Sequence, residues 1–252
     1  MGLLTFGAAF AELSYPSAAS SRADLAAKLR PLGHDLVDVI QVSDPETYCI
    51  CTLDPMGNLW IGTAGTRDLQ TALIDIEAMP LGSSLFPASV RLHAGFLASL
   101  EAVHDPLQAV IERIKPGALR FVGHSLGGAI STGLSAVLGD RRSTLCLTYG
   151  SPRIFSRAGA AWFDSLGVDS RRVVHDVDVV PRVPAVLGWE HVGGLLHLRD
   201  DGTKIGMGGR FWRWLIDQDR EFVAVIDGRA LLDHHVQTYI AICRRFEASL
   251  RV

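Results

Sequence analysis

The sequence predicts an α/β protein with a mostly parallel central sheet and helices on both faces. Short apolar runs rich in β-branched residues, such as 119–122 and 144–149, alternate with longer stretches of helical spacing. Hydrophobic residues make up 48% of the 252 residues, which is enough for a substantial buried core. No repeat, linker or low-complexity tract divides the chain, so we expect a single domain over residues 1–252.

Each expected element follows from a local pattern. A hairpin is expected around Asp54-Pro55-Met56-Gly57, a typical turn sequence. A long helix is expected to end at Lys115-Pro116-Gly117 and to be kinked or split at Pro106. In order, the pattern predicts a helix at 22–30, strands at 36–42, 48–53 and 58–62, a helix at 66–76, a loop at 82–89, a helix at 96–114, a strand at 119–122, a small-residue helix to 138, strands at 144–149 and 172–175, and a last helix at 234–248.

Composition excludes several classes of function. The net charge of −3 is spread along the chain without a basic stripe, which argues against a nucleic-acid partner. No apolar run reaches the roughly 18 residues that a transmembrane segment needs. The apolar N-terminus has no basic residues before it, so we do not interpret it as a signal peptide and expect a cytoplasmic protein.

The four cysteines predict neither a disulfide framework nor a metal site. Cys49 and Cys51 alternate with Ile50 and therefore share one face of a strand. No CxxC or HExxH motif is present. We expect Cys49, Cys51, Cys146 and Cys243 to be reduced, buried thiols.

The segment Gly-His-Ser-Leu-Gly-Gly-Ala at 123–129 carries the main chemical signal. Its G-x-S-x-G pattern is weak alone, but it follows a strand-like run and precedes a helix of small residues. This context is typical of a strained turn that projects a serine from the top of a sheet. We therefore interpret Ser125 as a nucleophile, and the alternative is a structural glycine turn.

A serine hydroxyl needs a base, and the base needs an acid that orients it. In α/β-hydrolases the chain order is serine, acid, histidine. Asp176 and Asp178 both follow the predicted strand at 172–175 and compete for the role of acid.

Four histidines follow these carboxylates in the chain, namely His191, His197, His234 and His235. The first two lie in apolar surroundings typical of structural histidines, and the same interpretation applies to His93 and His124. His234 follows Asp233, a natural N-cap, and is expected to open the last helix. There the positive end of the helix dipole disfavours the imidazolium and keeps a base neutral. His235 is the alternative base.

Six segments in order resemble the class 3 (fungal-type) lipases of the α/β-hydrolase fold. They extend from about residue 60 to residue 239, and neither the first 50 or so residues nor 200–229 carry a match. The matching segments are Trp60-Ile61-Gly62-Thr63, His93-Ala94-Gly95-Phe96, Gly123 to Ala129, Thr148-Tyr149-Gly150-Ser151-Pro152-Arg153, Asp178-Val179-Val180-Pro181-Arg182-Val183-Pro184, and Asp233-His234 with Tyr239.

The resemblance implies roles for individual residues. The family's acid directly precedes an aliphatic pair and a proline, which selects Asp178 over Asp176. The oxyanion hole would use the backbone N–H groups of Thr63 and Leu126. Ile61 departs from the family, which usually has an arginine there, and this puts the local support of the oxyanion loop in doubt. The implied chemistry needs no metal or organic cofactor.

Two segments are candidates for contact with a lipid–water interface. Residues 66–75 lie where family members have a helical lid, and they combine an apolar stripe with a charged start. The alternative is an ordinary amphipathic helix packed on the core. Residues 211–215, Phe-Trp-Arg-Trp-Leu, combine aromatic residues with a basic one, but such clusters are more often part of a core.

The resemblance therefore implies a lipase that cleaves acylglycerol esters through Ser125, Asp178 and His234 and an acyl-enzyme intermediate. Its expected partners are an ester or lipid substrate and a transient lipid–water interface. A feruloyl esterase, a phospholipase or a thioesterase would use the same triad. A binding module of this fold without catalytic activity is the alternative from another class.

Overall fold

The computed structural model describes residues 1–65, 79–139, 143–184, 188–204 and 233–251. Both candidate interface segments, 66–75 and 211–215, therefore lie outside the described residues. The strands are β1 (Asp35–Ser43), β2 (Glu46–Leu53), β3 (Leu59–Thr63), β4 (Pro80–Leu81), β5 (Leu92–His93), β6 (Leu119–His124), β7 (Leu145–Tyr149), β8 (Phe155–Ser156), β9 (Asp169–His175), β10 (Trp189–Glu190) and β11 (Gly194–Leu198).

A seven-stranded sheet with the order β1-β2-β3-β6-β7-β9-β11 forms the centre of the molecule. β1, β2 and β3 pair antiparallel, which confirms the predicted hairpin. From β3 onward every pairing in this sheet is parallel. The carboxyl ends of β3, β6, β7, β9 and β11 therefore meet at one edge, where open α/β sheets bind ligands. Four short strands form a separate small sheet in the order β10-β8-β5-β4.

Helices cover both faces of the sheet, as the sequence predicts. They are α1 (Leu3–Leu13), α2 (Arg22–Leu29), α3 (Ala94–Ile114), α4 (Leu126–Val137), α5 (Arg157–Ser165) and α6 (Val236–Ser249). Neighbouring residues of β6 show the division: Phe121 belongs to the hydrophobic cluster that contains apolar residues of α3, α4 and α5, and Val122 belongs to the cluster that contains those of α1, α2 and α6. Because side chains alternate along a strand, β3, β6 and β7 each contribute to both cores.

The N-terminal helix α1 was not predicted. Its sequence is apolar and rich in small residues, and Phe10 is fully buried against the sheet. The side chain of Glu247, on α6, accepts hydrogen bonds from the backbone N–H of Leu4 at 2.7 Å and from the hydroxyl of Thr5 at 2.6 Å. A carboxylate from the far end of the chain thus serves the first turn of a helix whose own N-cap, Gly2, makes no side-chain cap.

One detail of the predicted helices is wrong. The last helix begins at Val236 with His235 as its N-cap, so His234 lies before the helix and Asp233 does not cap it. Of the two alternatives predicted for Pro106, the split does not occur, because helix α3 continues across this residue.

The four cysteines are free and buried, as expected. Burial raises the pKa of the Cys49 thiol to about 12 and that of Cys146 to about 11. Among the helices of the described ranges, none combines the length and the apolar character that a bilayer span requires.

Candidate active site

Ser125 lies in a sharp turn between β6 and α4. Its φ of 58° and ψ of −134° are a strained combination for a residue with a side chain. The flanking glycines make the turn sterically possible: a Cβ at Gly123 would lie 2.2 Å from the carbonyl oxygen of Gly127, and a Cβ at Gly127 would lie 2.1 Å from that of Thr63. The turn therefore has the geometry that the G-x-S-x-G pattern predicts.

Asp178 and His234 meet although 56 residues separate them. The carboxylate oxygens of Asp178 lie 2.9 and 3.1 Å from Nδ1 of His234. The carboxylate also accepts hydrogen bonds from the backbone N–H of Val180 at 2.9 Å and from the hydroxyl of Tyr239 at 2.5 Å. Asp178 and His234 are 1% and 4% exposed, so this hydrogen bond lies in a poorly hydrated environment that strengthens it.

The competing residues lie elsewhere. Nδ1 of His234 bonds to Asp178, whereas the backbone carbonyl of Asp176 accepts from Nε2 of His197 at 2.8 Å. His235 is exposed at the start of α6. The structure thus brings together the acid and the base that the sequence and its resemblance select.

The bond to Asp178 requires the proton on Nδ1 of His234, which leaves a lone pair on Nε2. Nε2 is buried and has no hydrogen-bond partner among the described residues. The ring of His124, the residue before Ser125, has its centroid 4.5 Å from that of His234. The base therefore lies against the turn that carries the serine, but the Ser125 hydroxyl is not hydrogen-bonded to it. Such bonds often tighten only when substrate binds.

The two residues that the resemblance assigns to an oxyanion hole both lie next to the turn of Ser125. Thr63 ends β3 beside Gly123 of β6 and is fully buried. Leu126 is the first residue of α4, where a backbone N–H has no acceptor within the helix. Ile61, two residues before Thr63 on the same strand, is fully buried in the core. The departure from the family at this position places an apolar side chain in an apolar environment.

Two tyrosines of the site, Tyr15 and Tyr239, have roles that the sequence did not predict. The Tyr15 hydroxyl donates to Nδ1 of His124 at 2.8 Å, and no local pattern distinguishes this residue. Tyr239 has a recognisable signal, its fixed spacing after His234, but its partner could not be predicted. Burial, followed by the nearby Asp178 carboxylate, raises the pKa of Tyr239 well above its usual value. Its phenol therefore stays protonated and can donate to Asp178.

The remaining histidines fit their structural interpretation. His191 donates to the carbonyl of Pro181 at 2.6 Å, and His197 to that of Asp176. His93 stacks on Phe96 with ring centroids 4.3 Å apart, and burial lowers its pKa.

Comparison with known sequences points to one family. The family model described as lipase (class 3) matches residues 60–188. A lipase from Rhizomucor miehei is 31% identical over 163 residues, covering 60% of this chain and 44% of that protein. The secreted mono- and diacylglycerol lipase 1 of Fusarium solani is 36% identical over 110 residues, covering 41% of this chain and 33% of that protein. The chain thus spans less than half the length of the curated relatives that it matches.

Comparison with solved structures shows the same fold. A triacylglycerol lipase, whose catalytic centre is described as a serine protease triad, aligns with a TM-score of 0.68 at 22% identity. That alignment covers 80% of this chain and 81% of the other. A fungal lipase in complex with an inhibitor aligns with a TM-score of 0.69 at 20% identity, covering 95% of this chain and 94% of that one.

Proposed function

Because the chain belongs to the class 3 lipase family, we propose that it is a serine carboxylic-ester hydrolase that cleaves acylglycerol esters. One observation carries the proposal. The carboxylate of Asp178 orients a buried histidine whose free Nε2 lies beside the strained turn of Ser125. This is the set of side chains that activates a serine hydroxyl.

In the first half of the reaction, Oγ of Ser125 attacks the ester carbonyl carbon while Nε2 of His234 takes its proton. The imidazolium that forms is stabilised by Asp178, which stays ionised. The negative charge on the carbonyl oxygen is stabilised by the N–H groups of Thr63 and Leu126, each of which contributes about 3–4 kcal/mol. Collapse of the intermediate breaks the ester C–O bond, and the alcohol leaves with the proton from His234.

In the second half, water replaces the alcohol. Nε2 of His234 takes a proton from the water as its oxygen attacks the acyl-enzyme carbonyl. The same donors stabilise the second oxyanion. The carboxylic acid is released, and Ser125 regains its proton from His234. The two half-reactions predict ping-pong kinetics and an acyl-enzyme that accumulates whenever its hydrolysis is slow.

An acylglycerol substrate is supported by the relatives, which are named as lipases and as a mono- and diacylglycerol lipase. We propose that this chain acts on the same class of ester and meets it at a lipid–water interface. The test is a series of p-nitrophenyl esters of increasing chain length together with emulsified mono-, di- and triglycerides. Turnover that rises with chain length and increases once an emulsion forms supports a lipase. Preference for feruloyl esters, phospholipids or thioesters would overturn this substrate assignment.

The serine assignment is tested by Ser125→Ala, which we expect to reduce ester turnover to near background. Ser135→Ala is the matched control, because Ser135 is a buried serine of the same helix whose hydroxyl donates to the carbonyl of Thr132 at 2.8 Å. A fluorophosphonate probe should label the parent protein and the control but not Ser125→Ala. Turnover and labelling of Ser125→Ala at the level of the parent would refute the proposal.

The acid and the base are tested in the same paired way. Asp178→Asn should reduce kcat by about four orders of magnitude, because the amide favours the wrong tautomer of the base. Asp176→Asn should not. His234→Ala should abolish turnover, whereas His235→Ala should retain it. If Asp176→Asn lost activity and Asp178→Asn kept it, Asp176 would be the acid, and the same reasoning would make His235 the base.

A further inference from the structure

Two buried histidines donate to consecutive backbone carbonyls of the segment 233–235, which we call the base loop. Nδ1 of His175 lies 3.0 Å from the carbonyl oxygen of Asp233. Nε2 of His124 lies 2.6 Å from the carbonyl oxygen of His234. The two donors are 1% and 5% exposed. Since the base loop precedes the first turn of α6, these carbonyls lie outside the backbone ladder of the helix, and the α6 contact of Asp233 is a longer bond of 3.4 Å from the hydroxyl of Thr238.

Each donor comes from the element that carries another member of the triad. His124 is the last residue of β6 and directly precedes Ser125. His175 is the last residue of β9, and its carbonyl accepts the backbone N–H of Asp178 at 2.8 Å. The imidazole of His124 therefore connects the base to the nucleophile, and the imidazole of His175 connects the base to the acid.

The hydrogen-bond partners also determine where the protons lie. A carbonyl can only accept, so Nε2 of His124 carries a proton and its Nδ1 accepts from the hydroxyl of Tyr15. Burial, followed by the neighbouring His234, lowers the pKa of His124 well below its usual value, so this ring is neutral. His175 faces an acceptor on both sides, since its Nε2 lies 2.8 Å from the Asp200 carboxylate. Because a carbonyl can only accept, Nδ1 of His175 carries a proton and donates it to Asp233.

We propose that His124 and His175 are positioning residues that hold the base loop, and with it the imidazole of His234, against the serine and the acid. This rests on the proposed esterase function. The bond to Asp178 fixes only one edge of the catalytic ring, and the backbone that carries the ring is held by the two imidazole donors. Loss of either donor moves the base, and a displacement of about 1 Å reduces turnover by roughly 100-fold.

The two histidines use different ring nitrogens, which allows a crossed test. The amide of asparagine reaches the position of Nδ1, and the amide of glutamine reaches that of Nε2. At position 175 the base loop is held by Nδ1, so His175→Asn should stay within about threefold of the parent kcat and His175→Gln should lose about 10- to 100-fold. At position 124 the donor is Nε2, so His124→Gln should retain kcat and His124→Asn should lose it.

The contact that His175→Asn loses is one that water can replace. The Asp200 carboxylate, which His175→Asn leaves without its imidazole, is 64% exposed. His34 supplies the matched control, because it is a buried histidine that bonds through Nδ1 to the hydroxyl of Thr52 at 2.8 Å and packs on Trp60. His34→Asn and His34→Gln should both leave kcat unchanged.

The measurements are kcat and KM on a soluble ester, the rate of fluorophosphonate labelling and the melting temperature of all six variants. We expect kcat and the labelling rate to be retained with asparagine but not glutamine at position 175, and with glutamine but not asparagine at position 124. KM should change little in all of these variants. The same preference at both positions, or activity that follows melting temperature alone, would overturn it. So would unchanged kcat in His175→Gln and His124→Asn.

An alternative role for His175, as a ligand of a metal ion, is tested with the same variants. His175, Asp200 and Asp233 place ligand atoms within 4.8 Å of one another, a grouping that could hold a divalent cation. If EDTA removes the activity of the parent protein and Ca²⁺ or Zn²⁺ restores it, and His175→Asn shows neither effect, His175 acts as a metal ligand and not as a hydrogen-bond donor to the base loop. An inactive parent protein would count against the esterase function itself. An active parent with unaffected variants would count against the positioning role alone.

Discussion

Gly150 offers a direct way to move the acid and the base without altering either. It follows β7 with a φ of 58°, in the left-handed region. A Cβ added there would lie 2.8 Å from Oδ2 of Asp178 and 2.9 Å from both Cε1 and Nδ1 of His234. Gly150→Ala therefore inserts a methyl group against the hydrogen bond between the two catalytic side chains.

The magnitude follows from these distances. Ordinary contacts of a carbon with these atoms are about 3.5 Å or longer, so the pair must shift by roughly half an ångström to an ångström. A misplacement of this size reduces turnover by about 100-fold. The left-handed backbone adds a cost of about 1–2 kcal/mol to folding. Gly167→Ala isolates this second effect, since Gly167 has a φ of 75° and nothing within 4 Å of its added Cβ.

The assay compares kcat on a soluble ester with the melting temperature of both variants. We expect both variants to lose stability, Gly150→Ala more because of its added contacts, and a loss of about 100-fold in kcat only in Gly150→Ala. If both variants keep the parent kcat, the acid and the base do not occupy the positions described here. If both lose it equally, backbone strain and not contact with the triad is the cause.

Three further predictions concern the surroundings of the triad. Tyr239→Phe removes the hydroxyl bond to Asp178 but keeps the ring, so we expect kcat to fall about 10-fold and the melting temperature by several degrees. Tyr149→Phe, which loses a bond of 2.7 Å to α1, should lower only the melting temperature, and equal kcat losses would contradict this reasoning. Glu247→Ala should destabilise the fold by about 1–2 kcal/mol in denaturant unfolding at unchanged kcat, because the first turn of α1 loses its acceptor. Stability should fall as the pH drops below about 6.5, because burial lowers the pKa of folded His124 and only the unfolded chain takes up that proton. Melting temperatures at about pH 5 and about pH 7.5 check the sign, and a higher value at about pH 5 would refute it.

The strand–turn–helix around Ser125 was predictable because each local preference points to the same structure. A buried strand, glycines where a Cβ would collide and a small-residue helix all lie within a few residues of one another. The selection of Asp178 over Asp176 depended on the resemblance, since both follow the same strand. In three dimensions Asp178 bonds to His234, a residue 56 positions later whose proximity no local pattern predicts.

Helix α1 could not be predicted from its own residues. Its segment lacks a clear polar face, because one side packs on the sheet and much of the rest packs on α6. Its N-terminus is completed by Glu247, more than 240 residues away. For the same reason the start of α6 was placed two residues too early. The local pattern favours Asp233 as the N-cap, whereas contacts with distant elements hold residues 233 and 234 outside the helix.

The donors around Asp178 show why these distant contacts matter for the chemistry. The carboxylate accepts from a backbone N–H, from the phenol of Tyr239 and from the imidazole of His234. The first two are neutral, and the raised pKa of Tyr239 keeps the phenol so. Their hydrogen bonds orient the carboxylate without forming an ion pair with it. In the proposed reaction, the positive charge that forms when His234 accepts the serine proton meets a carboxylate that is already oriented, so little reorganisation is needed at that step.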